Sequence, residues 1–205
     1  RQSRQHKRQI INVGIERNVK VVVVSAVRKP EGVSVQFERE KPAETDWSTA
    51  SNWSEGAFPT SSDDVIIPSG CTYYPSIDED AAALSVSVEN TASITITSGS
   101  LTSSSETLSN EGTIIYTGAG RITDAFSAVI NDTDSGSVEY RTGTGSVAAV
   151  TYYNLIISSG TWTASEAVTA GGDVTISGGT AEFGSTLTVS GDTGLSVSGG
   201  TAEFD

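Results

Sequence analysis

The sequence predicts an all-β protein that folds as a parallel β-helix, a β-solenoid of short three-strand coils with an extra N-terminal β-strand segment. Glycine, serine and threonine dominate the composition, and the apolar residues are mostly Val, Ile and Leu in short runs. No stretch has the i, i+3, i+4, i+7 periodicity of a long amphipathic helix. The heptapeptide SGGTAEF occurs twice, with copies that begin at Ser177 and at Ser198. Together these observations predict stacked coils of β-strands.

The C-terminal segment shows the coil most clearly. From Thr180 it gives TAEF, TLTV, GLSV and then TAEF again, so three short strands precede the return of the pattern. A chain that returns to the same phase after three strands forms one coil of a β-helix, in which each strand pairs in parallel with its counterpart one coil away. The preceding coil gives TWTA, AVTA and DVTI, with Thr161 in the place that Thr180 takes in the next coil.

Alternation along each strand predicts which side chains face the core. In TAEF, Ala181 and Phe183 should face inward, whereas Thr180 and Glu182 should face solvent. Phe204 should stack on Phe183 one coil later, where a buried ring contributes about 1.5–3 kcal/mol. Further residues expected to face inward are Ile94, Ile96, Leu101, Leu108, Ile114, Trp162, Leu187, Val189, Leu195, Val197 and Ala202.

Charge and composition divide the chain into three parts. Residues 1–41 form a basic N-terminal arm with β-strands, residues 42–80 an N-terminal cap and first coil, and residues 81–205 the β-helix repeats. The arm carries ten basic and four acidic residues, a net charge of +6, whereas the rest of the chain has a net charge of −19. At about 20 residues per coil, the chain after the arm would make roughly eight coils.

The charge asymmetry predicts that one end of the molecule attracts the body of another copy. The arm begins with a basic lead, RQSRQHKR, and continues into the apolar strand VKVVVVSAV. We expect it to dock on the acidic solenoid or the open C-terminal coil of the next copy. The residues expected at this assembly interface are Arg1, Arg4, Lys7, Arg8, Val21, Val23 and Phe204. Nucleic acid is not an expected partner, because the arm lacks interleaved aromatic residues and the body would repel phosphates.

Two segments carry a family resemblance. DWSTASNWSEGAFPTSSDDVIIPSG, residues 46–70, has two spaced tryptophans, a proline, a paired-acid DDV strand and IPSG. SVEYRTGTGSVAAVTYYNLIISSGTW, residues 137–162, contains the phrase YYNL. Both resemble secreted β-helix repeat modules of surface proteins and adhesins in Bacteroidota-type bacteria. The resemblance implies a surface-attached solenoid that serves as an adhesin stalk or structural repeat.

Trp47 and Trp53 belong to the first of these segments and are candidates for a cap. The first coil of a β-helix exposes its apolar interior, and large aromatic rings can cover it. The alternative is that the two rings form a platform for sugar stacking.

Neither a metal site nor a cofactor site is expected from the acidic clusters. Asp78, Glu79 and Asp80 are contiguous, so in an extended strand their side chains diverge. Asp132 and Asp134 have the alternate spacing of a calcium loop, but lack the third ligand and the distant glutamate. Whether Ca²⁺ binds near them is left open.

The sequence predicts a non-catalytic extracellular structural protein, a subunit of a self-assembling head-to-tail surface filament or adhesive fibre. The chain contains no methionine, which suggests removal of a precursor segment and export. No apolar run approaches the ~20 residues that span a bilayer. After residue 41 the only bases are two arginines, so catalysis would rest on carboxylates alone. The alternatives are a monomeric adhesin or carbohydrate-binding module and a polysaccharide-degrading enzyme.

Overall fold

The structure, a computed structural model, describes residues 34–38, 45–118, 121–122 and 135–205. Within these ranges it is nearly all β, with one short 3₁₀ helix at Ala50–Asn52 and no α-helix. No helix of the described ranges is long and apolar enough to cross a membrane. The strands are β1 (Ser34–Gln36), β2 (Asp64–Ile67), β3 (Ser76–Ile77), β4 (Ala81–Val88), β5 (Ser93–Ile96), β6 (Ser100–Asn110), β7 (Thr113–Thr117), β8 (Arg121–Ile122), β9 (Ser137–Arg141), β10 (Thr144–Ser146), β11 (Thr151–Tyr152), β12 (Asn154–Ile157), β13 (Thr161–Ala164), β14 (Val168–Ala170), β15 (Val174–Ile176), β16 (Thr180–Phe183), β17 (Leu187–Val189), β18 (Leu195–Val197) and β19 (Thr201–Phe204).

Every pair of these strands is parallel, and the sheets form a β-solenoid, which confirms the predicted fold class. A seven-stranded sheet, in the order β18-β15-β12-β9-β7-β5-β3, runs along one face. In the C-terminal half the other faces are a four-stranded sheet, β10-β13-β16-β19, and a three-stranded sheet, β11-β14-β17. The three strands per coil predicted from TAEF are therefore present there.

The N-terminal half differs from the predicted three-strand coil. Its coils contribute two strands each, because a five-stranded sheet, β1-β2-β4-β6-β8, takes the place of the two smaller sheets. Strand β4 is eight residues long and β6 eleven. The pairing of β4 with β6 shifts register between Ala83 and Ser85. Each strand nevertheless continues through the irregularity, and it occupies the place of two short strands separated by a turn.

The repeated heptapeptide sets the register of the C-terminal coils. Strand β16 pairs with β19 so that the two TAEF copies align residue by residue, with Phe183 opposite Phe204. Strand β13 pairs with β16 so that Thr161 aligns with Thr180 and Trp162 with Ala181. Both predicted alignments are confirmed, and the large indole of Trp162 lies over a small side chain.

Coil length varies more widely than these two coils suggest. The coil that carries Ser137 to its aligned partner Asn154 is shorter than the coil from Thr161 to Thr180. The coil that carries Thr113 to its partner Ser137 is longer than both. The seven strands of the longest sheet make six coil-to-coil steps, about 30 Å in all. The structure has about six turns, so the expectation of roughly eight coils was wrong. The steps of the longest sheet do average about 20 residues, but that sheet begins only at Ser76, because the chain before it forms the cap and the first strands.

The core lies inside the solenoid and consists of the alternate side chains of each strand. The inward residues predicted before the last coil are buried: Ile94, Ile96, Leu101, Leu108, Ile114, Trp162, Ala181 and Phe183. In the last coil Leu187, Val189 and Ala202 are only half-buried, while Leu195, Val197 and Phe204 are exposed. Their side chains have a packed neighbour on one side alone, since β17, β18 and β19 lie at the edges of their sheets.

Glycines form one corner of the solenoid. Gly160 and Gly179 occupy equivalent positions in successive coils, with φ of 87° and 74°. A Cβ atom on Gly179 would collide with the carbonyl oxygen of Gly160. This corner needs glycine both for its left-handed backbone and for the close approach of adjacent coils.

The first strand of the solenoid comes from the segment assigned to the arm. Ser34 of β1 aligns with Asp64 of β2, and Phe37 forms an antiparallel bridge with Trp53. Strand β1 therefore belongs to the same sheet as β2, although the arm was assigned to residues 1–41. Other residues singled out from the sequence lie outside the described ranges: Arg1, Arg4, Lys7, Arg8, Val21, Val23, Asp132 and Asp134.

Candidate functional site

Three aromatic rings close the N-terminal end of the core. The Trp47 and Trp53 rings meet edge to face with centroids 4.7 Å apart, and the Phe37 ring meets Trp53 at 5.2 Å. The Trp53 indole N–H donates to the Trp47 carbonyl oxygen at 2.8 Å. Trp47 is 4% exposed and Trp53 is fully buried. The arrangement suits a cap over the core and leaves no open ring face on which a sugar could stack.

The cap holds a buried donor with no acceptor. The indole nitrogen of Trp47 has no hydrogen-bond partner among the described residues. Most buried polar groups in proteins are paired, and leaving one unpaired costs about 1–3 kcal/mol. Trp47 also lines a cavity at this end of the solenoid.

The cavity has a volume of about 340 Å³, which is at the small end of the range for ligand sites. We call it the acidic cavity and define it by six of its lining residues: Asp46, Trp47, Phe58, Asp78, Glu79 and Asp80. Phe58 is 52% exposed, an unusual state for a phenylalanine, and offers an apolar surface beside the four carboxylates.

Two distant segments meet to form the acidic cavity. Asp46 forms an isolated parallel bridge with Ser76, and the Trp47 N–H donates to the Ser76 carbonyl oxygen at 2.9 Å. Strand β3 then leads directly into the acidic turn of residues 78–80. Hydrogen bonding beside β3 therefore brings Asp46 next to acids that come from a separate, later part of the sequence.

The four carboxylates differ in their partners. Asp46 accepts from the backbone N–H and the hydroxyl of Ser48, at 2.8 and 2.9 Å, and Asp80 accepts from the Ser100 N–H at 3.1 Å. The side chains of Asp78 and Glu79 are exposed and make no hydrogen bond or ion pair with the described residues. None of the described residues that line the cavity is Lys, Arg or His, so this lining carries a formal charge of −4.

Across the described part of the chain, no group of three or more His, Cys, Asp or Glu side chains could hold an ion. The single cysteine, Cys71, is in no disulfide, and its thiol contacts the Pro68 carbonyl oxygen at 3.3 Å.

Sequence reasoning missed the acidic cavity. It expected the side chains of Asp78, Glu79 and Asp80 to diverge and gave no role to Asp46 or Phe58. The paired tryptophans were the available signal, because a cap must fold back over the first strands. The pairing of Asp46 with Ser76 could not be read from the pattern, since neither residue lies in a long alternating strand.

The last coil presents a second candidate surface. Phe204 stacks on Phe183 with ring centroids 5.3 Å apart and an interplanar angle of 18°. Together with Leu195 and Val197 it leaves apolar surface open beyond the last rung. We call these three residues the end rung. Their strands have backbone groups directed along the solenoid axis, as every parallel strand of a β-helix does.

An ion pair lies on the outer face of the seven-stranded sheet. Arg141 donates to both carboxylate oxygens of Glu139, at 2.9 and 2.6 Å, and the Ser158 hydroxyl also donates to that carboxylate. Partial burial raises the pKa of Glu139, but the bonds from Arg141 and Ser158 outweigh it and hold the pKa below its ordinary value. We assign this pair to the stability of the coil.

A tyrosine pair lies inside the same coils. The hydroxyls of Tyr140 and Tyr152 are 3.0 Å apart, and the Tyr152 hydroxyl donates to the Ala148 carbonyl oxygen at 2.7 Å. Tyr140 also accepts from the Ala148 N–H at 3.1 Å. Burial, with Tyr140 nearby, raises the pKa of Tyr152 well above its ordinary value, so it stays a neutral donor in the core.

These features define a parallel β-solenoid with an aromatic cap, an acidic cavity beside the cap and an apolar end rung. The chain belongs to the family described as "Domain of unknown function (DUF8693)", whose sequence model matches residues 41–161. That match spans the cap, the cavity and the central coils, and ends before the repeated heptapeptides. No curated protein and no solved structure matches the chain.

Proposed function

We propose that the chain is a non-catalytic structural subunit of an extracellular surface filament or adhesive fibre, in which copies join head to tail. The observation that carries this proposal is the division of charge between residues 1–41, with a net charge of +6, and the rest of the chain, with −19. Leu195, Val197 and Phe204 continue the inward columns of the core, so a further rung can pack on them. Every equivalent side chain one coil earlier is buried.

Parallel strands at a sheet edge can pair with a further strand, and apolar side chains in register can be covered by another rung. A contact between opposite ends of identical subunits is heterologous and does not close on itself, so it produces a filament. Burial of the three side chains would supply the hydrophobic contribution to assembly.

The charge distribution also supports contact between opposite ends of two copies. Residues 1–41 carry a net charge of +6, whereas the remainder of the chain carries −19. The N-terminal end of one copy and the C-terminal coils of another are therefore complementary, and their attraction should weaken as salt rises. The resemblance to secreted β-helix modules of surface proteins supports an extracellular location.

Electron microscopy of the purified chain at low and high salt tests the proposal. We expect thin fibres with a regular axial repeat. Val197→Lys places a charge in the end rung without disturbing a buried position, so it should prevent fibres while the far-ultraviolet circular dichroism stays unchanged. Thr188→Lys, on an exposed outward position of β17, is the matched control and should assemble as wild type does.

Discrete monomeric rods of wild type under both salt conditions would overturn the filament proposal. They would favour the alternative of a monomeric adhesin or carbohydrate-binding module. The burial of Trp47 and Trp53 removes one basis for that alternative, namely a sugar platform on those two rings.

A further inference from the structure

We propose that the acidic cavity is the docking site for the basic lead, residues 1–8, of the same chain. The occupant would be an extended cationic peptide, with Lys or Arg side chains against the carboxylates and a backbone carbonyl against the cap. This proposal does not depend on filament formation.

The charge of the cavity selects for a cation. Its described lining carries four carboxylates and no base, and the Asp78 and Glu79 side chains have no partner among the described residues. A concave site of one sign, with apolar walls, focuses its field and attracts groups of the opposite sign. The exposed Phe58 ring offers a face for a guanidinium or ammonium group.

The cap contains a buried N–H group that lacks a hydrogen-bond acceptor in the described part of the chain. This observation is independent of the charge of the cavity. Trp47 lines the cavity, and its buried indole nitrogen has no partner among the described residues. A metal ion or a simple ammonium ion has no acceptor to offer it. An extended peptide supplies both groups, because its carbonyl oxygens accept hydrogen bonds while its side chains carry the positive charge.

The chain itself contains a segment with this chemistry. The lead RQSRQHKR has four basic residues, Arg1, Arg4, Lys7 and Arg8, and no acid. The body after residue 41 offers only Arg121 and Arg141 as bases, and Arg141 is paired with Glu139. No other stretch of the sequence combines such a density of positive charge with the absence of carboxylates.

The lead is tethered close to the cavity. The described chain begins at Ser34 in β1, and Phe37, just after β1, contacts Trp53, which contacts Trp47 in the cavity wall. The chain between Lys7 and Ser34 can span up to about 90 Å when fully extended. This exceeds the solenoid's length, so the lead can reach the cavity, and its attachment raises its effective concentration there.

Docking in this way would change the charge of the N-terminal end. The four cations of the lead would balance the four carboxylates of the cavity. In the filament proposed above, the attraction for the next copy would then come from the rest of residues 1–41, which carry six basic and four acidic residues.

Zero-length carbodiimide cross-linking of the full chain tests the proposal. This reagent joins a lysine amine to a carboxylate only when the two are in contact, and Lys7 is the one lysine of the lead. We expect Lys7 to be joined to Asp78 or Glu79, as identified by mass spectrometry. The Asp78→Asn, Glu79→Gln double variant should lose this product. Glu166→Gln, a change of an exposed acid in a later coil, is the control and should keep it.

Two further arms make the result decisive. A mixture of isotopically labelled and unlabelled chains should give cross-links only within one label, because the lead docks on its own chain. Single variants Arg1→Lys, Arg4→Lys and Arg8→Lys each introduce an amine that the reagent can join to a carboxylate, so the contact of every cation in the lead can be measured. The proposal is wrong if no position of the lead reaches the cavity acids, or if the products join different copies. It is also wrong if a neutral oligosaccharide binds in a Phe58-dependent way while the lead forms no cross-link.

Discussion

Phe204 stacks on Phe183 across one coil, with ring centroids 5.3 Å apart, yet the two identical side chains differ in exposure from 56% to 2%. They have the same neighbours in sequence, TAEF, and the same place in register. The difference arises because Phe183 is packed between two coils and Phe204 against one. Comparing these two phenylalanines therefore separates the stability that the side chain itself contributes from the stability that its position in the stack contributes.

We expect Phe183→Ala to be far more destabilising than Phe204→Ala. Removing the buried ring should cost about 3–5 kcal/mol, as for other buried aromatic residues. Removing the exposed ring should cost about 1 kcal/mol, because it buries only part of its surface. Urea unfolding of unassembled protein measures both. Equal costs would show that Phe204 is covered in solution.

The glycine corner predicts a second matched pair. Gly179 and Gly194 have similar φ values, 74° and 68°, but a Cβ on Gly179 would strike Gly160 whereas one on Gly194 meets nothing within 4 Å. Gly194→Ala should cost about 1–2 kcal/mol for the left-handed backbone alone. Gly179→Ala should cost clearly more, because the coils must also move apart. Thermal unfolding of the two variants compares them, and similar melting temperatures would contradict the steric argument.

The Glu139–Arg141 ion pair predicts that the free energy of unfolding decreases as the pH becomes acidic. The pKa of Glu139 is held below its ordinary value of 4.5, so its ionised form stabilises the folded state. That contribution is complete above the unfolded pKa and is lost as pH falls through the folded pKa. Urea midpoints measured from neutral to acidic pH should therefore fall less steeply for Glu139→Gln than for wild type. An unchanged slope would show that the pair makes no such contribution.

Tyr152→Phe should destabilise the solenoid by about 1–3 kcal/mol, because the Ala148 carbonyl oxygen would lose its donor inside the core. Tyr73→Phe removes a hydroxyl from an exposed ring and is the control. Chemical unfolding of both variants gives the comparison. Equal free energies of unfolding for the two variants would contradict this prediction.

The part of the fold that repeats in sequence was also the part that could be predicted. The TAEF strands give both the period and the inward face, because two copies of one pattern must occupy equivalent places in a stack. Ala181 and Phe183 are buried as alternation requires. Burial in the weaker N-terminal echoes, such as Ile94 and Ile96, followed from the same rule.

What could not be predicted depends on contacts without a repeat. Strand β4 continues past a register shift, and nothing in AAALSVSV signals that no turn interrupts it. The acidic cavity needs Asp46 beside Ser76, a contact made by backbone hydrogen bonds rather than by side-chain pattern. Alternation along a strand predicts that Leu195 faces inward. Its exposure depends on whether a further coil packs on it, and alternation does not predict that.

The parallel register also determines how the molecule would respond to a pulling force. Hydrogen bonds between coils run along the solenoid axis, and within the described part of the chain each coil pairs with the coils before and after it. Tension along the solenoid would therefore separate the coils one at a time rather than rupture all of them at once. A coil of typical length would release about 70 Å of chain in each step. A fibre built from such units would lengthen gradually under load and absorb energy before it broke.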